Sequence, residues 1–190
     1  STAGGDLYWA GSAAASQSMT TDVSRWTLTR EATAGSTWGS VTTGARHTCA
    51  VTTAGTLYCW GGNSYGQLGT GDTTDRSTPT QVGVATNWAS VVAGRFHTCA
   101  LTTGGALSCW GGNSNGQLGL ANTQAVGDNE LPNLAGYPNL GNDKALALGL
   151  GYASSCAIVN PDKVRCWGNA TYGQIGQGNV NQIGDNETPD

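Results

Sequence analysis

Apolar residues in this chain come in short runs closed by glycine, threonine or asparagine, and the same runs return at a fixed interval. "HTCAVTTAGTLYCWGGNSYGQLG" begins at His47, and "HTCALTTGGALSCWGGNSNGQLG" begins 50 residues later at His97. Trp38, Leu57, Trp60, Gln67 and Gly69 recur in the same way as Trp88, Leu107, Trp110, Gln117 and Gly119. A third copy, "SSCAIVNPDKVRCWGNATYGQIG", carries Cys156, Cys166, Trp167, Gln174 and Gly176 after a step of 57 from Cys109 to Cys166. Three of the seven added residues lie between the second cysteine and the later proline, since Cys59 to Pro79 is 20 and Cys109 to Pro132 is 23. The other four precede the next repeat. Length changes of this kind belong in the surface loops of a repeat array. A degenerate copy opens the chain, where Leu7, Tyr8 and Gly11 stand 50 residues before Leu57, Tyr58 and Gly61.

Each copy predicts a hairpin. Pairing Cys49 with Cys59 sets Val51 opposite Leu57 and Thr52 opposite Thr56, leaving the three-residue loop Thr53-Ala54-Gly55. Such loops favour a type I turn followed by a left-handed residue, the place Gly55 occupies. Gly105 holds that place in the next copy and Asp162 in the third, Asp tolerating the left-handed region better than most residues. In "CWGGNSYGQLG" the Trp ends a strand, and the Asn and Gln can bond nearby backbone to hold a long turn. Pro79, Pro132 and Pro189 then mark an edge or the start of an outer strand.

About four short strands per unit is the content of one propeller blade. The expected fold class is all-β, with about three and a half four-stranded β-propeller blades, partial or completed by oligomerisation. The units are 1–37 as a degenerate half-blade, 38–87 and 88–144 as blades, and 145–190 as a blade lacking its closing strand.

Composition narrows the function. With 30 Gly and only 11% charged residues, the chain suits short strands and tight turns rather than long helices. No window approaches the roughly 18 apolar residues of a helical membrane span, so none is expected. Net charge is −4 and the eight basic residues are scattered, which argues against a nucleic-acid partner. Six cysteines fall into three pairs, Cys49 with Cys59, Cys99 with Cys109 and Cys156 with Cys166, each ten apart. Short zinc hooks of the C-x2-C kind are missing, so the pattern reads as three local disulfides in an extracellular or cell-surface protein. If the protein is secreted, "STAGG" would start the mature chain, since no signal-peptide pattern precedes it.

The motifs "SVTTGARHTCAV", "SVVAGRFHTCAL", "CWGGNSYGQLGTGDTTDRSTP" and "CWGNATYGQIGQGNVNQIGDNETP" resemble the regulator of chromosome condensation repeat family. The resemblance is specific from Trp38 to Pro189 and faint from Leu7 to Trp38. It implies a β-propeller, commonly of seven blades. The cysteine-bearing variety looks like bacterial secreted or surface members rather than the nuclear exchange factor, and a propeller of secreted β-lactamase inhibitors is similar in architecture. Two departures stand out: Ser154 fills the third copy's His position, and the first copy lacks both cysteines. The strand near Leu7 lacks its hairpin partner, and no closing strand follows Pro189. Either the natural protein continues, or further copies complete the array, in which case head-to-tail contacts that fail to close would give a filament.

An enzyme reading would pair His47 or His97 with a carboxylate or a cysteine nucleophile. Both histidines instead occupy one repeated slot, two residues before a cysteine expected to be oxidised, and read as blade packing. The acidic turns at Asp72, Asp128 and Asp185 are weak candidates for calcium ligands and match no EF-hand loop. The recurring tryptophans read as strand and interface packing, with sugar stacking as the alternative. Residues that obey the repeat build the scaffold, so specificity is expected where copies differ. Those positions are Tyr65, Asn115 and Tyr172 before "GQ", and Arg46, Phe96 and Tyr152 before the cysteine strand. Aromatic and Arg side chains on rigid loops are favoured interface anchors. The function expected is a non-catalytic extracellular recognition module for a protein or a surface glycan, with no cofactor. The alternative is a self-assembling homo-oligomeric structural subunit of a fibre, and an enzyme inhibitor or an enzyme ranks below both.

Overall fold

The computed structural model describes residues 37–134, 136–160, 163–184, 186, 187 and 189, together with the backbone of two strands at 8–12 and 24–30. Every extended element is a short antiparallel strand. β1 (Tyr8–Ser12) pairs with β2 (Ser24–Arg30). β3 (Trp38–Thr43), β4 (His47–Thr52), β5 (Leu57–Gly61) and β6 (Arg76–Gln81) form a four-stranded sheet in chain order. β7 (Trp88–Ala93), β8 (His97–Thr102) and β9 (Leu107–Gly111) form the next sheet. β10 (Ala145–Leu150), β11 (Ser154–Val159) and β12 (Lys163–Gly168) form the last. Among the described residues no helix is long and apolar enough to cross a membrane.

These sheets are the blades expected from the repeat. β1 and β2 correspond to the third and outer strands of a blade, and they share with β5 and β6 an irregularity at the same place, between Trp9 and Gly11 as between Cys59 and Gly61. Val51 faces Leu57 and Cys49 faces Cys59, as the spacing requires. Gly55 at φ +79° and Gly105 at φ +82° supply the left-handed residue of the hairpin loop. A side chain at Gly55 would also run into the carbonyl of Thr86, so this turn is doubly restricted to glycine. Asp162, expected to take the same place in the third copy, lies outside the described residues.

The three disulfides Cys49–Cys59, Cys99–Cys109 and Cys156–Cys166 each join directly facing residues, with Cα atoms 4.1 Å apart. That is the close spacing of a non-hydrogen-bonded antiparallel pair. Each bond therefore staples one hairpin and ties no distant segments together.

One expectation needs correction. Among the described residues only the second unit has four full strands, with Pro79 inside the outer strand β6. In the next two units the outer strand shrinks to single bridges, Gly111 with Val126 and Gly168 with Ile183. Pro132 starts a turn of 3-10 helix, Pro132–Leu134. The physical cause lies in the residue after the bridge. In the second unit it is Ser77, and the strand continues; in the later units it is Gly127 at φ +89° or Gly184 at φ +96°. There the backbone turns off the sheet and crosses to the preceding blade, where Gly127 abuts the carbonyl of Gly66 and Gly184 that of Gly116. The segment opened by Gly127 is thus a turn that bridges blades, and Gly184 makes the same approach.

The main core lies between neighbouring blades, and Trp38, Ala50 and Trp60 form a second, smaller cluster. Cys49, Leu57, Leu68, Cys99, Trp110, Leu118, Val159 and Trp167 are at most 1% exposed. The inner strands β3, β7 and β10 lie beside one another in sequence, so successive blades turn about a common side.

Candidate functional site

The two histidines hold the seams between blades. His47 Nε2 lies 2.9 Å from Thr98 Oγ1, and Thr98 Oγ1 donates to the Gln67 carbonyl at 2.8 Å. The Trp110 indole donates to the same carbonyl at 3.0 Å. Because the Thr98 proton goes to Gln67, the hydroxyl accepts from His47, which fixes the ring as its Nε2–H tautomer. Fifty residues on the arrangement repeats: His97 Nε2 meets Ser155 Oγ at 3.0 Å, and Ser155 and Trp167 both donate to the Gln117 carbonyl. Both histidines are fully buried. Burial holds the His47 pKa down at about 4 and that of His97 at about 3, the latter helped by its neighbour His47. Both rings are neutral at ordinary pH, as the packing reading expects. Ser154 has no ring to offer, so the third copy makes no such donor.

The long turns are held as the Asn and Gln content predicts. Asn63 Oδ1 accepts from the Leu68 amide and Gln67 Oε1 from the Tyr65 amide; Asn113 and Gln117 repeat both bonds. In the last blade the asparagine has moved one place to Asn169, leaving buried Ala170 in the Asn63 slot. The freed Asn169 amide reaches back 3.0 Å to Asn115 Oδ1 in the preceding blade.

The varying positions partly converge. Tyr65, Phe96, Asn115 and Tyr152, from three successive blades, line one open cleft of about 420 Å³. Tyr65 and Phe96 stack with ring centroids 4.8 Å apart. The Arg95 guanidinium lies 4.6 Å from the Phe96 ring and 4.1 Å from the Tyr152 ring. The result is a continuous stack, Tyr65–Phe96–Arg95–Tyr152, running from the second blade to the fourth. Arg95 was not among the sequence candidates, and Tyr152 sits in its slot, four residues before the cysteine, rather than in the Phe96 slot three before it. Aligning each copy strictly on its cysteine would have exposed Ala45, Arg95 and Tyr152 as a further varying position. Arg46 is exposed beside Gly62, and Tyr172 is 92% exposed; neither lines the cleft.

Asp72 and Asp128 are engaged within the scaffold. Asp72 binds Arg76 at 2.6 Å and accepts from the Thr74 amide at 2.8 Å. Burial alone would raise its pKa, but the Thr74 amide, Arg76 and the Thr70 hydroxyl together hold it below the usual value. Asp128 lies in the blade-bridging turn against Gly66, and Asp185 lies outside the described residues. Among the described residues no three metal-ligating side chains converge. Trp60, Trp110 and Trp167 are at most 2% exposed, which leaves no open indole face for a sugar.

Three-to-four-stranded antiparallel sheets stacked about a common inner edge and joined by repeated buried seams define a β-propeller repeat protein. The regulator of chromosome condensation (RCC1) repeat profile matches residues 54–101, and a second profile of that repeat matches 40–67 and 88–117. Together these matches span residues 40–117, which are similar to RCC1-type repeats. Human WBSCR16 is similar over 98% of this chain and 49% of its own, with 21% identity and a TM-score of 0.79. Yeast RCC1 (Prp20), solved with Kap60, is similar over 78% of this chain and 34% of its own, with 19% identity and a TM-score of 0.65. Prp20p of Saccharomyces cerevisiae, solved separately, gives 21% identity over 80% and 37%, with a TM-score of 0.64. The chain thus spans half or less of the length of these structures. No curated protein matches it.

Proposed function

We propose that the protein is a non-catalytic extracellular recognition module that holds a polypeptide partner in the loop-face cleft. One observation carries this reading: four side chains at positions where the copies differ come from three blades to one cleft, while the side chains that obey the repeat are buried in seams. Rigid aromatic and Arg side chains in such a place are the usual anchors of an interface. Both histidines are buried as seam donors and all six cysteines are in disulfides, so neither residue type offers a nucleophile or a base. The disulfides support an oxidising compartment. A protein of the same fold, yeast Prp20, is solved bound to Kap60, which fits a polypeptide partner. The test is selection of peptides by phage display on the intact chain. Selected peptides should lose binding to the double variant Tyr65→Ala, Tyr152→Ala; equal binding to both proteins contradicts the reading.

A second reading has its own observation. On the last blade Ile158 and Val164 face each other across the hairpin and are 47% and 65% exposed. Their counterparts Val51 and Leu57 are buried by the next blade at 3% and 0%. Here a further blade supplied by another copy covers that face and extends the array. Sedimentation should then give multiples of 19.3 kDa, and a single 19.3 kDa species at all concentrations contradicts it.

A further inference from the structure

We propose that the cleft takes an acidic peptide, one carboxylate of which pairs with the guanidinium of Arg95, held over the cleft-lining rings of Phe96 and Tyr152. This rests on the recognition reading above and adds the partner's chemistry.

The argument starts from the stack. A guanidinium is a planar fork whose donors point outward in its own plane. The Arg95 guanidinium carbon lies over two rings, Phe96 at 4.6 Å and Tyr152 at 4.1 Å. Contacts with ring faces restrain the side chain without using its N–H donors. Among the described residues no acceptor meets those donors: Arg95 makes neither a hydrogen bond nor an ion pair. The other internal arginines with described side chains behave differently, Arg76 pairing with Asp72 and Arg165 with Asp143. A pre-oriented, half-buried and unpaired fork is the geometry that a carboxylate meets with two parallel bonds.

The surroundings point the same way. The chain carries a net charge of −4, yet none of the residues lining the cleft is acidic. Arg46, on the corresponding loop of the second blade, adds a second exposed cation with no carboxylate partner among the described residues. The stack also favours a peptide over a sugar. Phe96 meets both Tyr65 and Arg95, so its ring is engaged by neighbours and is not free to stack on a flat pyranose. The edges of Tyr65 and Phe96, with Ala125 and Ala153 nearby, suit an apolar or aromatic side chain beside the acidic one.

The probe is a fluorescent glutamate–tyrosine copolymer, titrated against the intact chain by anisotropy at low and high salt. A lysine–tyrosine copolymer and polygalacturonate are run in parallel. The glutamate–tyrosine copolymer should bind, weaken with salt, and lose about tenfold or more in affinity in Arg95→Gln. Arg95→Lys, which keeps the charge but not the fork, should fall between them. Intact disulfides and an unchanged melting profile identify a folded Arg95→Gln protein, and Tyr152→Ala, which frees one face of the stack, provides a second variant expected to weaken binding. Equal affinity of wild type and Arg95→Gln overturns the proposal. So does failure of the acidic copolymer to bind, tighter binding of the basic one, or equal Arg95-dependent binding of polygalacturonate, which would mark a glycan site. If peptides from the display selection still depend on Tyr65 and Tyr152 in any of those cases, the recognition reading stands and only the acidic partner falls. If they do not, both fall.

Discussion

The seam between the second and third blades and the cleft on their loop side are built from residues only a few positions apart, and they use the repeat in opposite ways. In the seam, His47, Gln67, Thr98 and Trp110 are buried and bonded to one another, and the same set returns as His97, Gln117, Ser155 and Trp167. In the cleft, Tyr65, Phe96 and Tyr152 are part-exposed, with Arg95 against the last two, and the positions matching Tyr65, Phe96 and Arg95 include Asn115, Arg46 with Ala153, and Ala45. A buried polar relay tolerates little change, because any altered member strands a partner without water. A stack on the rim has no such constraint. Repetition in this chain therefore marks what holds the blades together, and variation marks what they present.

That contrast breaks most sharply at Trp110. Trp110→Ala removes a fully buried indole and its bond to Gln67, and should destabilise by about 3–5 kcal/mol in urea unfolding. Acid should open the seams next. For each histidine the folded pKa, about 4 or about 3, lies below the unfolded value near 6.5, so the unfolded chain binds more protons in between. Stability is complete above roughly pH 6.5 and falls as pH drops, by about 2 kcal/mol per histidine at pH 5. His47→Gln, His97→Gln should flatten that slope in the pH 4–6.5 range, and an unchanged slope would place the acid sensitivity elsewhere.

Opening one staple by Cys99→Ser, Cys109→Ser should cost about 2–3 kcal/mol by thermal unfolding, the entropy of a small closed loop. Thr98→Val keeps the shape but leaves the His47 Nε2–H without an acceptor, for about 1–3 kcal/mol. Tyr65→Ala sits at the other end of the scale: it should shift stability by less than about 1 kcal/mol while weakening peptide binding.

The hairpins were legible from spacing alone, because two cysteines ten apart and a glycine at the third loop position allow one register. The histidine role was legible from its recurrence beside an oxidised cysteine. Neither the blade-bridging turn at Gly127 nor the Arg95 stack could be read that way. The turn depends on Gly127 meeting the Gly66 carbonyl 61 positions earlier, and the stack on rings from three blades. Recurrence shows that a residue is needed without naming what it meets, and a partner in another blade is set only by the fold. The loss of the outer strand after Gly127 and Gly184 has the same origin, since one residue type after the bridge decides whether the strand continues.

The division between scaffold and presented letters is tested most directly by rewriting only the latter. Arg95→Ala, Phe96→Arg gives the third blade the residues that precede the cysteine strand in the second and touches no side-chain donor or acceptor between blades. Thermal unfolding and binding of display-selected peptides are then measured on the same sample. The account predicts an unchanged melting temperature, three intact disulfides and lost peptide binding. A protein that melts far lower, or that binds as before, would contradict it.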